Sequence, residues 1–398
     1  MRARTPNPLR LGLFWLGIQA VWGALLGISL QARTIELVGG AGALLAYGRL
    51  ATLGAIVAAL VQVAVGPLSD ARRRRGSRRL EFYAAGAIAG AAALVLFFQA
   101  TNFATLTLTF IALQAGLNCA IGPYQAIIPD VVARAKFGTA SSWMAALQSA
   151  GNAVGAVFAA YVSNARLLGG ALAALLLGTS AVTSAHLRAL SLQPVAERTP
   201  LRITRAFVDL FISRALVYVG FYTLLGYLLF YVRDVLAAPS LAAAKSESGV
   251  LILAFTLVGT VGAALAARPS DRRDKRLIAN VGGGIVIVAL VLFIVTSGFV
   301  PAVVATLIAG VGWGIFLVAD WAIACRVLPP SALATTMGVW NLAVILPQII
   351  APALTTVVLT RFALHGAQGP KAAFGLAVVE TFVGVVWLWR LSPMTIGE

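Results

Sequence analysis

Charge is scarce in this chain. Only 11% of its 398 residues are charged, whereas 60% are hydrophobic. A water-soluble domain carries about 25% charged residues. This sequence therefore cannot cover a water-facing surface, and it reads as a polytopic membrane protein. Acidic charge is the scarcer sign, with 13 Asp and Glu against 30 Lys and Arg, a net charge of +17. Nucleic-acid binding would need a basic domain or face. Here the arginines fall in short clusters between apolar runs, which is the pattern of cytoplasmic loops in membrane proteins. No nucleic-acid partner is expected.

Cysteine and histidine are nearly missing as well. Cys119 and Cys325 lie in or at the end of apolar segments, which excludes a disulfide framework. His186 and His365 stand alone, so no metal-ligand spacing is present and no cofactor is expected. There is no G-x-x-x-x-G-K-[ST] loop, hence no recognisable ATP motor. Neither H-E-x-x-H nor G-x-S-x-G occurs, which argues against an enzyme. The Gly282-Gly283-Gly284 run lies inside an apolar segment and reads as close helix packing rather than a phosphate cradle.

What is abundant is apolar sequence of membrane-spanning length. Twelve candidate spans are visible: 11–30, 41–65, 82–99, 103–127, 140–163, 167–187, 207–230, 247–267, 277–297, 301–324, 334–359 and 373–390. The first is about as long as a bilayer-spanning helix and longer than a signal-peptide core, so it is kept as a span. With the N-terminus placed in the cytoplasm, 22 Lys and Arg fall on the inner side and six on the outer. That bias predicts a multi-pass protein of the cell membrane with both termini cytoplasmic.

The longest polar break, Leu190–Arg205, divides the chain into a six-helix bundle over residues 1–189, a cytoplasmic linker over 190–206 and a second bundle over 207–398. The halves echo one another. Gly66-Pro67-Leu68-Ser69-Asp70 begins a run to Arg79 that holds six arginines, and Ala267 to Arg276 is a weaker copy around Asp271. Pro129, Gly138 and Gln148 recur as Pro329, Gly338 and Gln348. Parallel repeats of this kind are a transporter architecture, with the substrate site expected at the repeat interface near mid-membrane.

Ionisable side chains inside spans cost about 2.5–3.5 kcal/mol on insertion scales and are functional candidates by default. Four stand out: Arg49, Arg214, Asp320 and Glu380. Asp320 sits on a span rich in glycine and could exchange a proton or grip a substrate; its plainer role is as a structural partner of Arg49 or Arg214. Arg214, Tyr218 and Tyr222 are spaced i, i+4 and i+8 and so share a helix face; snorkelling to the interface is the alternative for Arg214 and Arg49. Glu380 has no partner visible in the sequence. Amide stripes add Gln114 and Asn118, Gln148 and Asn152, and Asn341 and Gln348. Amides donate and accept, which suits sugar hydroxyls, and they equally serve as interhelical glue. Trp22, Trp143, Trp313, Trp321 and Trp340 are candidates for stacking on a sugar ring, with interface anchoring as the alternative.

Twelve spans, the 6+6 duplication and the basic run after span two resemble the major facilitator superfamily. Its loop pattern is G-x-L-x-D-R-x-G-R-R; Gly66, Leu68 and Asp70 match, Ala71 replaces the usual Arg, and the glycine comes late, at Gly76. This longer, Arg-rich form is similar to the sucrose-transporter-like and glycoside–cation symporter branches. So are the stretches Gly122–Asp130, Ser213–Leu236 and Val318–Pro329, although Arg326 and Thr335-Thr336 depart from the branch pattern. The resemblance implies an all-α membrane protein of two pseudo-symmetric six-helix bundles. It implies alternating access for a small solute, a sugar or glycoside, coupled to a proton or other cation, by a monomer. It also implies a gating role for Gly66, Asp70, Arg72, Gly76, Arg78, Arg79 and, in the second copy, Asp271. Asp70 would lie at a junction of the halves and help lock one access state. An efflux permease for amphipathic compounds is the alternative within the class, and a non-transporting membrane sensor or assembly factor is the alternative outside it.

Overall fold

The computed structural model describes residues 5–40, 42–133, 136–194, 203–327 and 333–392. Within its helices the side chains of residues 129, 137–139, 141–142, 267, 271–272, 325–326, 333–339 and 341 lie outside that description.

All regular structure among the described residues is helical. The first span is α1 (Pro8–Ala24), a π-helical turn (Leu25–Ser29) and α2 (Leu30–Val38) in unbroken succession. Then follow α3 (Gly42–Arg74), α4 (Leu80–Gln99), α5 (Phe103–Tyr124), the short α6 (Ile127–Val131), α7 (Phe137–Tyr161) and α8 (Ala165–Arg188). The second half holds α9 (Arg205–Asp234), α10 (Leu241–Arg272), α11 (Lys275–Val295), α12 (Phe299–Val327), α13 (Leu333–Arg361) and α14 (Gln368–Trp387). Each of the twelve spans read from the sequence thus has its helix. Eleven of these helices are long and apolar enough to cross a bilayer among the described residues, and the twelfth, α7, is 25 residues long.

Helix starts are set by local chemistry. Asn102, Asn164, Thr204 and Ser240 each accept, through a side-chain oxygen, a backbone N–H three residues on. These caps satisfy donors that a helix start leaves orphaned. Many large apolar side chains point outward, Val63 being 72% exposed and Leu257 61%. Helices apolar on the outside as well as the inside are the mark of a lipid environment.

The chain separates into two compact units, one of Met1–Gly39 with Leu53–Glu197, the other of Gly40–Thr52 with Arg198–Glu398. In the first, α1 packs against α7 and α8, and α4 against α5 and α8. A Cβ on Gly155 of α7 would overlap the Ala20 carbonyl oxygen of α1, so glycine permits the close approach. Toward the start of α1, Phe14, Tyr83 and Tyr124 pack with centroids 5.0–6.4 Å apart, and the Tyr124 hydroxyl donates to the Leu11 carbonyl at 2.5 Å. In the second unit, α9 packs against α14 and α13, and α12 against α10 and α11. There Gly314 meets the Gly259 carbonyl as Gly155 meets Ala20. The start of α3 belongs to this second unit, where Tyr47 stands edge-on to Tyr227 at 5.5 Å.

One expectation changes. The basic stretch after span two is not a loop from Gly66 onward, because α3 runs through Pro67 and Asp70 to Arg74. Hydropathy marks where the helix leaves the membrane, not where it ends. It is closed off by Gly76, just past its last residue, whose φ of +87° is left-handed, with Ser77 N–H donating to the Arg72 carbonyl at 3.1 Å. The late glycine is therefore the stop signal of a longer helix.

Candidate functional site

Three polar clusters stand out in the apolar interior among the described residues. The largest in the first unit joins the end of α3 to α6. Arg79 follows the turn with a φ of +60°, unusual for a residue with a Cβ, and its N–H donates to Ser77 Oγ at 2.9 Å. Its guanidinium donates to Asp130 Oδ2 at 2.7 Å, Asp70 Oδ1 at 2.9 Å and Ser69 Oγ at 2.6 Å. Arg73 donates to the other Asp130 oxygen at 3.1 Å and to the Gln193 carbonyl at 2.6 Å. Burial works against the Arg79 charge, but Asp130 and Asp70 outweigh it and hold its pKa above the ordinary value.

The six arginines of this stretch therefore divide. Arg73 and Arg79 are buried and paired, while Arg72, Arg74, Arg75 and Arg78 are exposed. Arg72 approaches Glu81 only to 3.9 Å with both groups about half exposed, a contact of little energetic weight. Arg78 donates to the Leu190 carbonyl at 3.2 Å. Gly66 has open space around it. In the second copy the Asp271 side chain lies outside the described residues. Here Arg276 pairs with Asp274 at 2.6 Å and Lys275 donates to the Ser270 carbonyl at 2.8 Å. The position 200 residues after Asp130 is Pro330, so the second half has no acid there to recruit.

A second polar chain in the same unit is made of amides. Gln62 Nε2 donates to Asn118 Oδ1 at 2.6 Å, and Asn118 Nδ2 donates to Gln114 Oε1 at 3.1 Å. Gln148 accepts from Gln19 at 3.4 Å, whereas Asn152 is exposed.

The third cluster lies in the second unit. Arg214 of α9 donates from Nη1 to Asp320 of α12, both side chains being buried. The guanidinium carbon stands 4.8 Å from the centroid of Tyr218 and 4.5 Å from that of Trp340, and Nη2 reaches the Tyr218 hydroxyl at 3.4 Å. The pair brings together residues 106 positions apart, and snorkelling is corrected for Arg214, which is 7% exposed. The ion pair explains why: a buried guanidinium with a carboxylate partner need not reach water. Further along α9, Tyr222 accepts from Gln348 at 3.1 Å. Phe221 stacks on Trp313 at 4.3 Å beside Tyr218. Glu380 of α14 accepts from Thr223 at 3.1 Å through one oxygen, while its other oxygen has no partner among the described residues.

Arg49 is not gathered into any of these clusters; it is exposed and forms no ion pair among the described residues. The Asn341, Arg326, Thr335 and Thr336 side chains lie outside the described residues. Among the described residues no three His, Cys, Asp or Glu converge as metal ligands. Asp130, Arg73, Gln62, Gln19 and Thr223 were not singled out from the sequence. Asp130 had a visible signal: it is one of 13 acids in a chain with 30 cations, on the side that carries most of the arginine.

Comparison with known proteins gives this arrangement a family. A family model described as Major Facilitator Superfamily matches residues 11–352. Among curated proteins no sequence match was found. Several solved structures share the fold. A bacterial homolog to the human lysosomal transporter Spinster, in inward-facing and occupied conformation, aligns with a TM-score of 0.75 at 16% identity, covering 96% of this chain and 95% of that one. The nucleoside transporter NupG aligns with a TM-score of 0.70 at 15% identity over 97% and 99% of the two chains. A bacterial homologue of the iron transporter ferroportin gives 0.63 at 15% identity over 96% and 98%. With a matching family model over most of its length and this shared fold, the chain belongs to the major facilitator superfamily of membrane transporters.

Proposed function

We propose that the protein is a secondary active transporter that moves a small polar solute, of the sugar or glycoside kind, together with a proton by alternating access. The observation that carries this reading is the buried Arg214–Asp320 pair beside Tyr218. An ion pair inside a spanning helix is costly and marks a substrate or ion pathway by default. A carboxylate with a single cationic partner can take up a proton when that partner is drawn away, which links an ion gradient to solute movement. The amide chain Gln62–Asn118–Gln114 offers donors and acceptors of the kind hydroxyl groups need. The Lys and Arg bias favours a cell membrane with both termini in the cytoplasm. Asp70, half-exposed and tied to Arg79, is the residue of the basic stretch best suited to a gating role.

A second reading, an efflux permease for amphipathic compounds, draws on the aromatic surface of Phe221, Tyr218 and Trp313 next to the same pair. Proteoliposomes decide between them. Under an imposed pH gradient, wild-type protein accumulates a polar solute, and Asp320→Asn abolishes the accumulation while retaining exchange of solute across the membrane. Absence of gradient-driven flux for a broad panel of sugars, glycosides and drugs removes the transport reading. Intact proton-driven accumulation in Asp320→Asn removes the coupling role.

A further inference from the structure

We infer that the Arg214 cluster binds a carboxylate, so that the solute is a hydroxylated acid of the sugar-acid class. This rests on the transport reading above for its purpose, though not for its binding chemistry. Two donors in this cluster lack acceptors among the described residues. Arg214 Nε and Trp340 Nε1 are both buried and have no hydrogen-bond partner among the described residues. The two side chains touch, with the guanidinium over the indole ring at 4.5 Å, and they are 7% and 2% exposed. Buried N–H groups without partners are costly and rare in folded proteins. Two of them on adjoining side chains mark a place where an acceptor belongs.

The shape of the vacant edge says which acceptor. Asp320 takes only Nη1. The opposite edge of the guanidinium presents Nε–H and Nη2–H side by side, and there Nη2 has only a long bond, 3.4 Å, to Tyr218. Two parallel N–H groups match the two oxygens of a carboxylate, the bidentate geometry in which arginine excels. A sugar hydroxyl would satisfy one of them. The Tyr218 and Trp340 rings over which the guanidinium stands weaken its hydration and make it a better partner for a planar anion.

Charge balance fixes what must accompany the anion. Arg214 and Asp320 together are neutral, so a second carboxylate would leave one uncompensated negative charge in the interior, which is prohibitive. Around Asp320, α9 supplies Arg214 and Tyr218, and neither α10 nor α11 makes a hydrogen bond or ion pair to it among the described residues. Among the described residues Arg214 is the one cation paired with Asp320, so the carboxylate enters with one proton, which goes to an Asp320 oxygen. One monoanion and one proton move together, and no net charge crosses.

The test uses intact wild-type protein in detergent, its thermal stability read against hexonates and hexuronates such as gluconate and glucuronate, with glucose and methyl glucoside as neutral counterparts. The acids raise the melting temperature and the neutral sugars do so less, since a ligand of the folded state stabilises it by mass action. Arg214→Lys removes the fork and keeps the charge; Trp340→Phe removes one N–H and keeps a ring over the guanidinium. Each weakens gluconate binding by about tenfold or more, with ligand-free melting showing that the variant is folded. In proteoliposomes, gluconate uptake follows the pH gradient and is unchanged by a potassium-diffusion potential. Equal shifts from glucose and gluconate, no shift from any of the acids, or gluconate affinity unaltered in both variants overturns the carboxylate site. Glucose flux without gluconate binding discards this inference and leaves the transporter; gluconate binding without flux of any solute does the reverse.

Discussion

Arg79 Nε donates to Asp130 Oδ2 at 2.7 Å, although 51 positions separate the two residues. The same carboxylate receives Arg73 on its other oxygen at 3.1 Å. One acid thus holds two buried guanidinium groups, and the end of α3, the turn after it and α6 are tied at a single point. Asp130→Ala leaves both cations without this partner. Truncating one member of a buried ion pair costs about 3–5 kcal/mol. The expected outcome is a marked fall in melting temperature in detergent, with Asp130→Asn intermediate because its amide oxygen still accepts one bond.

Asp70 is expected to behave differently. Its side chain is 49% exposed and, among the described residues, pairs with Arg79 alone, at 2.9 Å. A half-exposed pair of this kind contributes about 1 kcal/mol or less, so Asp70→Ala melts close to wild type. If Asp70 gates, solute turnover slows while affinity measured by thermal shift stays constant. Unchanged turnover would reduce the stretch to a topology signal.

The Arg214–Asp320 pair invites a double-mutant cycle. Arg214→Met or Asp320→Leu alone strands a buried charge and destabilises by about 3 kcal/mol or more. Together they leave an apolar contact of similar bulk, and most of the loss is recovered. Additive losses in melting experiments would show that the two groups do not stabilise one another.

Glu380 and Thr223 form a smaller polar pair within the second unit. Thr223 supplies the one bond that this carboxyl receives among the described residues. Thr223→Val removes it and costs about 1–3 kcal/mol, because the acceptor stays buried. Adding Glu380→Leu restores stability, since an apolar pair has no polar atom to satisfy. A double variant no better than Thr223→Val would place the cost in packing instead.

Much of the architecture was legible because hydropathy reports it directly. The twelve apolar runs became twelve helices. Helix ends were harder. Pro67 suggests a break, yet α3 passes through it, because neighbours and water can satisfy the freed backbone groups of a membrane helix. The clusters were legible only in part. Arg214 and Asp320 stood out by the cost of charge in a membrane, and a partnership between them was one of the alternatives. Asp130 did not stand out, since it lies at a helix end where an acid looks ordinary. Its importance comes from α6 delivering it to Arg73 and Arg79, and no local pattern encodes a meeting across 51 residues. Trp340 was one of five comparable tryptophans until its ring was found over Arg214.

The π-helical turn at Leu25–Ser29 bears on any attempt to align this span with its relatives. A π-turn accommodates one extra residue in an otherwise α-helical segment, and each residue of an α-helix turns the chain by about 100°. Side chains after Ser29, such as the buried Thr34, are therefore rotated relative to the phase set by Phe14 and Ile18. A gapless alignment through this segment would assign lipid-facing residues to the interior from that point onward. The turn has the form of a single-residue insertion, and deleting one residue within it should be tolerated better than a deletion one turn to either side.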